Sequence, residues 1–238
     1  MNIGTGNEGI LMFGGNISAE NLVLGKNAKV IKNMNNRAVN AAEALVTSNS
    51  VLITILILAA IPHGLRLDKE IREIEEAIRR ASNRDLFEIK VRTAIHPKDI
   101  RRAIAEEQPQ IVHLCGHCEK DGSLLLEDDG ENNKPVAPEG LAYLFKLHAD
   151  YVKCVLLNTC YSEKPAEAIS QYINYVIGMN SLIQDRAAIE FAKGFYDGLG
   201  YKNSGNQDVF QRAFDEGMLA ILLENLSIES IPVLKKKL

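Results

Sequence analysis

Short apolar runs alternate along this chain with stretches whose apolar residues recur every three or four positions. The strongest run is Val51–Ile61, VLITILILAAI. It falls well short of the roughly 20 residues a membrane-spanning helix needs. Its Ile, Leu and Val content predicts a strand over 51–60 buried on both faces. Leu67, Ile71, Ile74 and Ile78 then follow the i, i+4, i+7 spacing of an amphipathic helix over 67–81, with Asp68 suiting its N-terminal end. Period-two alternation over Leu86–Arg92 predicts a strand, 97–107 a helix and Gln110–Cys115 the next strand. Beyond these lie helices over 138–148, 165–173, 184–199 and 206–224 and strands over 152–157 and 175–179. Strand and helix alternating at this spacing predict an α/β fold, a mainly parallel sheet covered by helices. Residues 122–127, with the polar loop 128–134 after them, read as an excursion outside the main sheet. No repeat of solenoid period is present.

Residues 1–50 differ in kind. They are rich in Gly and Asn, and brief apolar pulses at 10–13, 22–24 and 30–31 are separated by turn residues such as Gly14-Gly15-Asn16. The pattern predicts a short β-prone ladder that buries little by itself, so either residues 1–36 self-associate through their strands or they form a leader with little fixed structure. Residues 37–47 have helical composition and read as the link to a domain over 51–238.

Composition removes several function classes. An apolar content of 46% with 24% charged residues is that of a globular protein able to bury its own core. A net charge of −4 leaves no general footprint for nucleic acid. The one basic cluster, Lys235–Lys237, reads as a solvated tail. The first residues show no basic stretch followed by an apolar core, so the expected location is the cytoplasm. In that reducing setting the cysteines at 115, 118, 154 and 160 point to catalysis or metal binding rather than to disulfides.

Two apolar runs end in reactive side chains. One closes on Gly116-His117 and the other, KCVLLNTCYS, on Asn158-Thr159-Cys160. Sites in open parallel sheets gather beyond the carboxyl ends of the strands. There His117 and Cys160 would face each other, the imidazole taking the thiol proton and later protonating a leaving amine. Cys115 and Cys118 form a CxxC without a second such pair, so a zinc site would have to borrow Cys160 or a distant His, and neither metal nor other cofactor is expected. Glu119 is placed to line the mouth of the cleft.

His113-Leu-Cys-Gly-His117, Leu125-Leu-Glu-Asp128, Val155–Ser162, Val176–Met179 and Ala188–Tyr196 stand in one order that resembles the CHAT domain family, as does the opening Ile57–Glu70. The resemblance covers about 51–225. It implies a caspase-like three-layer fold and a cysteine endopeptidase with His117 as base and Cys160 as nucleophile. The backbone N–H groups of Cys118 and Cys160 would hold the oxyanion, and a protein or peptide would be the substrate. It also implies a place in prokaryotic signalling or defence systems; joined to the strand-like pattern of residues 1–36, it gives the expectation that the N-terminal segment gathers copies and that proximity activates the peptidase. The family has Gly after the His. Here Cys118 stands, and a Cβ would strain the backbone if that position needs positive φ. A non-catalytic caspase-like interaction module is the rival reading. Related peptidases use an acid near Asp185 to receive a basic side chain, whereas the residue's own sequence context favours a helix cap.

Overall fold

The computed structural model describes residues 52–60, 67–128, 132–201, 208–226 and 231–237. The chain divides into units of 1–38 and 39–238, and every described residue belongs to the second. The expected N-terminal strands, the linker helix and the turn holding Pro62 and Gly64 lie outside the described residues.

Six strands form the main sheet: β1 (Ile53–Ala59), β2 (Phe87–Thr93), β3 (Ile111–Cys115), β7 (Cys154–Asn158), β8 (Tyr175–Met179) and β9 (Pro232–Lys236), in the order β2-β1-β3-β7-β8-β9. All neighbours run parallel except β9, which is antiparallel to β8. The period-two geometry of a strand sends alternate residues of β1 to opposite faces. Ile53, Ile55 and Ile57 enter one apolar cluster, while Leu56 and Leu58 enter the other. Each such side chain, once buried, contributes about 1.5–3 kcal/mol.

Helices α1 (Leu67–Arg80), α5 (Asp185–Gly200) and α6 (Val209–Leu223) supply the first cluster. Helices α2 (Pro97–Glu107), α3 (Pro138–Leu147) and α4 (Glu163–Ser170) supply the second. The result is the three-layer α/β arrangement expected from the alternating pattern. The excursion after β3 is a separate antiparallel sheet of β4 (His117–Cys118), β5 (Leu124–Glu127) and β6 (Asn133–Val136). Part of the polar stretch read as loop is therefore strand, because β5 offers it a partner.

Two helix starts and the C-terminal lysine cluster differ from the sequence reading for physical reasons. Helix α4 begins at Glu163, two residues before Pro165, since proline is tolerated in a first turn whose N–H groups have no intrahelical acceptor. Helix α6 begins after Asp208, whose carboxylate accepts from the Gln211 N–H at 3.0 Å. The lysine cluster is no solvated tail: Lys235 and Lys236 lie in β9, and their ammonium groups reach Glu163 at 2.9 Å and Asp208 at 3.0 Å. The apolar residues Val233 and Leu234, just ahead of the lysines, carried the strand signal. Among the described residues no helix is long and apolar enough to cross a membrane.

Candidate active site

Cys160 stands on the tight connection between β7 and α4. Tyr161, directly after it, has φ +55°, a left-handed conformation that costs a non-glycine residue roughly 1 kcal/mol or more. Two fixtures hold the bend. The Tyr161 N–H donates to the Ser181 carbonyl at 3.2 Å. The hydroxyl of Ser162, fully buried, reaches the carbonyls of Leu157 (2.8 Å) and Thr159 (2.7 Å) and accepts from the Met179 N–H at 2.9 Å. Ser162 thus ties the Cys160 turn to the end of β8. The Cys160 thiol points toward the Ile183 carbonyl at 3.7 Å, and its own backbone N–H has no acceptor among the described residues.

His117 is delivered by the neighbouring strand. Register pairs Cys115 of β3 with Asn158 of β7, so both strands end at the same level. Gly116 then packs against the residue that follows β1: an added Cβ would lie 2.8 Å from the Ala60 carbonyl oxygen. His117 follows in β4, opposite Leu125. Its ring is half-buried and makes no hydrogen bond among the described residues.

His117, Cys160 and Asp185 line a single cleft of about 210 Å³. Leu67, Leu182, Ile183 and Ile189 form much of its apolar wall, and Glu70 and Asn158 also face it. Asp185 is the first residue of α5, not its cap. The cap position belongs to Gln184, and no side chain caps this helix, so the carboxylate of Asp185 is left exposed at the mouth. Glu119 is exposed outside the lining residues, its N–H donating to the Ser123 carbonyl at 2.9 Å.

Cys118 does not adopt positive φ, so the expected backbone strain is absent and its Cβ fits. Its thiol is 3.0 Å from the Thr159 hydroxyl. Burial, opposed by that hydrogen bond, pushes the Cys118 thiol from 9.0 up to about 12, leaving about a thousandfold less thiolate at neutral pH. Burial also raises Cys115 and Cys154. Iodoacetamide near neutral pH is therefore expected to modify Cys160 first among the four thiols, with Cys115 and Cys154 labelled only after unfolding. Peptide mass spectrometry of alkylated native protein checks this, and labelling of Cys118 ahead of Cys160 would contradict it.

The sequence reading missed a polar group beneath the cleft. Glu70 is 4% exposed, and its Oε1 accepts from Asn158 Nδ2 at 2.6 Å and meets His113 Nε2 at 2.8 Å. His113 Nδ1 is 3.1 Å from the Tyr196 hydroxyl, and Asn158 Nδ2 also donates to the Ala188 carbonyl at 3.0 Å. Asn158 thus joins β7 to α1 and α5, two residues before Cys160. The signal was present: Glu70 lies three residues after Leu67 and four before Ile74, on the helix's apolar stripe. Glu70, His113 and Cys115 bring donor atoms within 4.8 Å of one another. His113 and Glu70 already spend those atoms on partners, and the Cys115 thiol donates to the Leu58 carbonyl. The set forms a buried hydrogen-bond network.

Comparison with known proteins gives a consistent picture. A family model described as CHAT domain matches residues 17–209. A Roc-COR-CHAT protease from an unspecified prokaryote is 26% identical over 152 residues, covering 60% of this chain and 14% of its own length. A probable protease from Gillisia limnaea is 24% identical over 176 residues, covering 72% of this chain and 30% of its own length. The chain therefore spans under a third of either curated relative. The X-ray structure of a secreted C11 cysteine protease from Bacteroides thetaiotaomicron, bound to an irreversible peptide inhibitor, superposes with a TM-score of 0.57. It shares 12% identity and covers 78% of this chain and 66% of that one. At that identity the likeness concerns the fold.

Proposed function

This chain belongs to the CHAT domain family, and from that premise we propose that it is a caspase-like cysteine endopeptidase acting through His117 and Cys160. The observation that carries this reading is the convergence of both side chains on one cleft from the ends of adjacent parallel strands. In the reaction, His117 takes the Cys160 proton and the thiolate attacks the peptide carbonyl carbon. The oxyanion that forms is held by backbone N–H groups at Cys160 and Cys118, fixed dipoles that need no reorganisation. Collapse breaks the C–N bond as the His117 imidazolium gives its proton to the leaving amine. Water, deprotonated by His117, then attacks the thioester, and Cys160 leaves as thiolate with release of the carboxylic acid. Asp185 at the mouth and Glu119 on the approach act as substrate contacts. A fluorogenic peptide library, run with Cys160→Ala protein as control, tests the activity. Cleavage equal in both proteins overturns it.

The substrate in this reading is a protein partner within a prokaryotic signalling or defence system, met in the cytoplasm, and the N-terminal segment gathers copies so that proximity activates the peptidase. Deleting residues 1–36 is expected to lower both the oligomer mass in light scattering and the cleavage rate. A deletion that leaves mass and rate unchanged removes assembly from the account.

A further inference from the structure

The two halves of the proposed site stand in different sheets. Cys160 follows β7 of the main sheet, whereas His117 and Cys118 form β4 of the small antiparallel sheet, so no ladder of backbone hydrogen bonds sets their spacing. Among the described residues one hydrogen bond joins β4 to the connection between β7 and α4: the Cys118 thiol lies 3.0 Å from the Thr159 hydroxyl. It links the residue directly after His117 to the residue directly before Cys160. Thr159 is 2% exposed, and its hydroxyl has this thiol as its one partner among the described residues. Its carbonyl is held separately, accepting from the Ser162 hydroxyl. Burial keeps the Cys118 thiol protonated at neutral pH, so the bond is uncharged and persists there. The backbone direction at Cys118 suits a donor role. Glu119, next along, points its N–H to the Ser123 carbonyl on the β5 side, and successive residues of a strand alternate, so the Cys118 N–H points away from β5.

We infer that the Cys118 side chain is a positioning group for the proposed reaction: through Thr159 it fixes the Cys118 backbone N–H against that of Cys160, so that both reach one oxyanion. This deepens the peptidase reading and rests on it. Donors to an oxyanion lower the barrier only when their spacing is set beforehand, and an error of about an ångström costs on the order of 100-fold. Within one sheet a ladder would set that spacing. Here a side-chain contact across two sheets does so. The thiol thus supplies a brace that glycine, the residue the family carries at this position, has no atoms to make.

The test follows hydrolysis of one fluorogenic peptide together with urea midpoints. Cys118→Ala is expected to lower kcat about tenfold with KM unchanged, less than the loss of about 10²-fold or more that removing an oxyanion donor outright brings. It should also lower the urea midpoint, because the Thr159 hydroxyl is left buried without a partner. Cys118→Gly should lose as much activity, although it installs the family's residue. Cys118→Ser keeps a hydroxyl within reach of Thr159 and should recover most of kcat. The double variant Cys118→Ala with Thr159→Val separates positioning from folding: with both polar groups gone the midpoint should return toward the native value while kcat stays low. Native-like kcat in the Cys118→Ala or Cys118→Gly protein, a serine variant no better than alanine, or kcat recovering with the midpoint in the double variant overturns the inference and leaves the peptidase reading intact. A native protein that cleaves no peptide overturns the peptidase reading instead. The brace is then judged by NMR order parameters of the Cys118 and Cys160 amides: a drop in Cys118→Ala protein that Cys118→Ser reverses upholds it, and unchanged values refute it.

Discussion

Cys160→Ala protein is expected to lose peptide hydrolysis by about 10⁴-fold or more, to the background of the assay. The size follows from the mechanism, in which every later bond change depends on the thioester that Cys160 forms. His117→Ala should cost about 10²- to 10⁴-fold, since a general base is lost but the thiol remains. The double variant should be no worse than Cys160→Ala, because residues that act as a unit are not additive. Both changes leave the fold in place: the two side chains are half-buried at the cleft wall, and the His117 ring carries no hydrogen bond among the described residues. Stopped assays of all three proteins on one cleavable peptide, with urea midpoints alongside, give the answer. Native-like cleavage by Cys160→Ala protein would remove Cys160 as the nucleophile, whereas no cleavage by the native protein would favour the interaction-module reading.

The second large effect is expected at a residue with no side chain. Gly116 has φ +151°, and an added Cβ would lie 2.8 Å from the Ala60 oxygen and 2.9 Å from the Ala60 Cβ. The strand ends are also joined there, the Ala60 N–H donating to the Cys115 carbonyl at 2.8 Å. Gly116→Ala must therefore spread β1 from β3 and adopt a conformation an L side chain avoids, at a cost of about 2–4 kcal/mol. His117 is the next residue, so a displacement of about an ångström should lower kcat/KM by roughly 100-fold. Gly140→Ala makes the control, because its Cβ would meet Val136 Cγ1 at an ordinary 3.7 Å. In the first turn of α3 that change should stabilise, by about 0.5–1 kcal/mol, since alanine loses less backbone freedom than glycine. Urea denaturation and steady-state kinetics of the two variants should move in opposite directions. Equal, small effects would show that the close approach of Gly116 to Ala60 matters little.

Much of this layout is legible in residue order. The isoleucine spacing of α1, the unbroken apolar β1 and the Pro97 start of α2 each follow from local geometry and burial, and so does the placing of His117 and Cys160 at strand ends. Elements that need a distant partner are harder to see. β9 was hidden because its lysines look solvated until Glu163 and Asp208, remote in sequence, are beside them. β6 needed β5. Asp185 looked like a cap, and only the helix's actual start shows that it is already inside the first turn.

What the sequence determined by itself is the α/β layering, the family and the two side chains of the candidate dyad, because periodicity and motif order are properties of neighbouring residues. What the tertiary structure decided is the environment of those side chains. It decided that Cys118 fits without strain, that Ser162 braces the Cys160 turn, and that Glu70 reaches under it to meet Asn158 and His113. Those relations join α1, β3, β7 and α5, residues 43 and 88 apart in the chain for the two bonds to Glu70. The physical reason is that a carboxylate on an apolar stripe is an anomaly in one dimension, and becomes a hydrogen-bonded floor once packing brings its partners within reach.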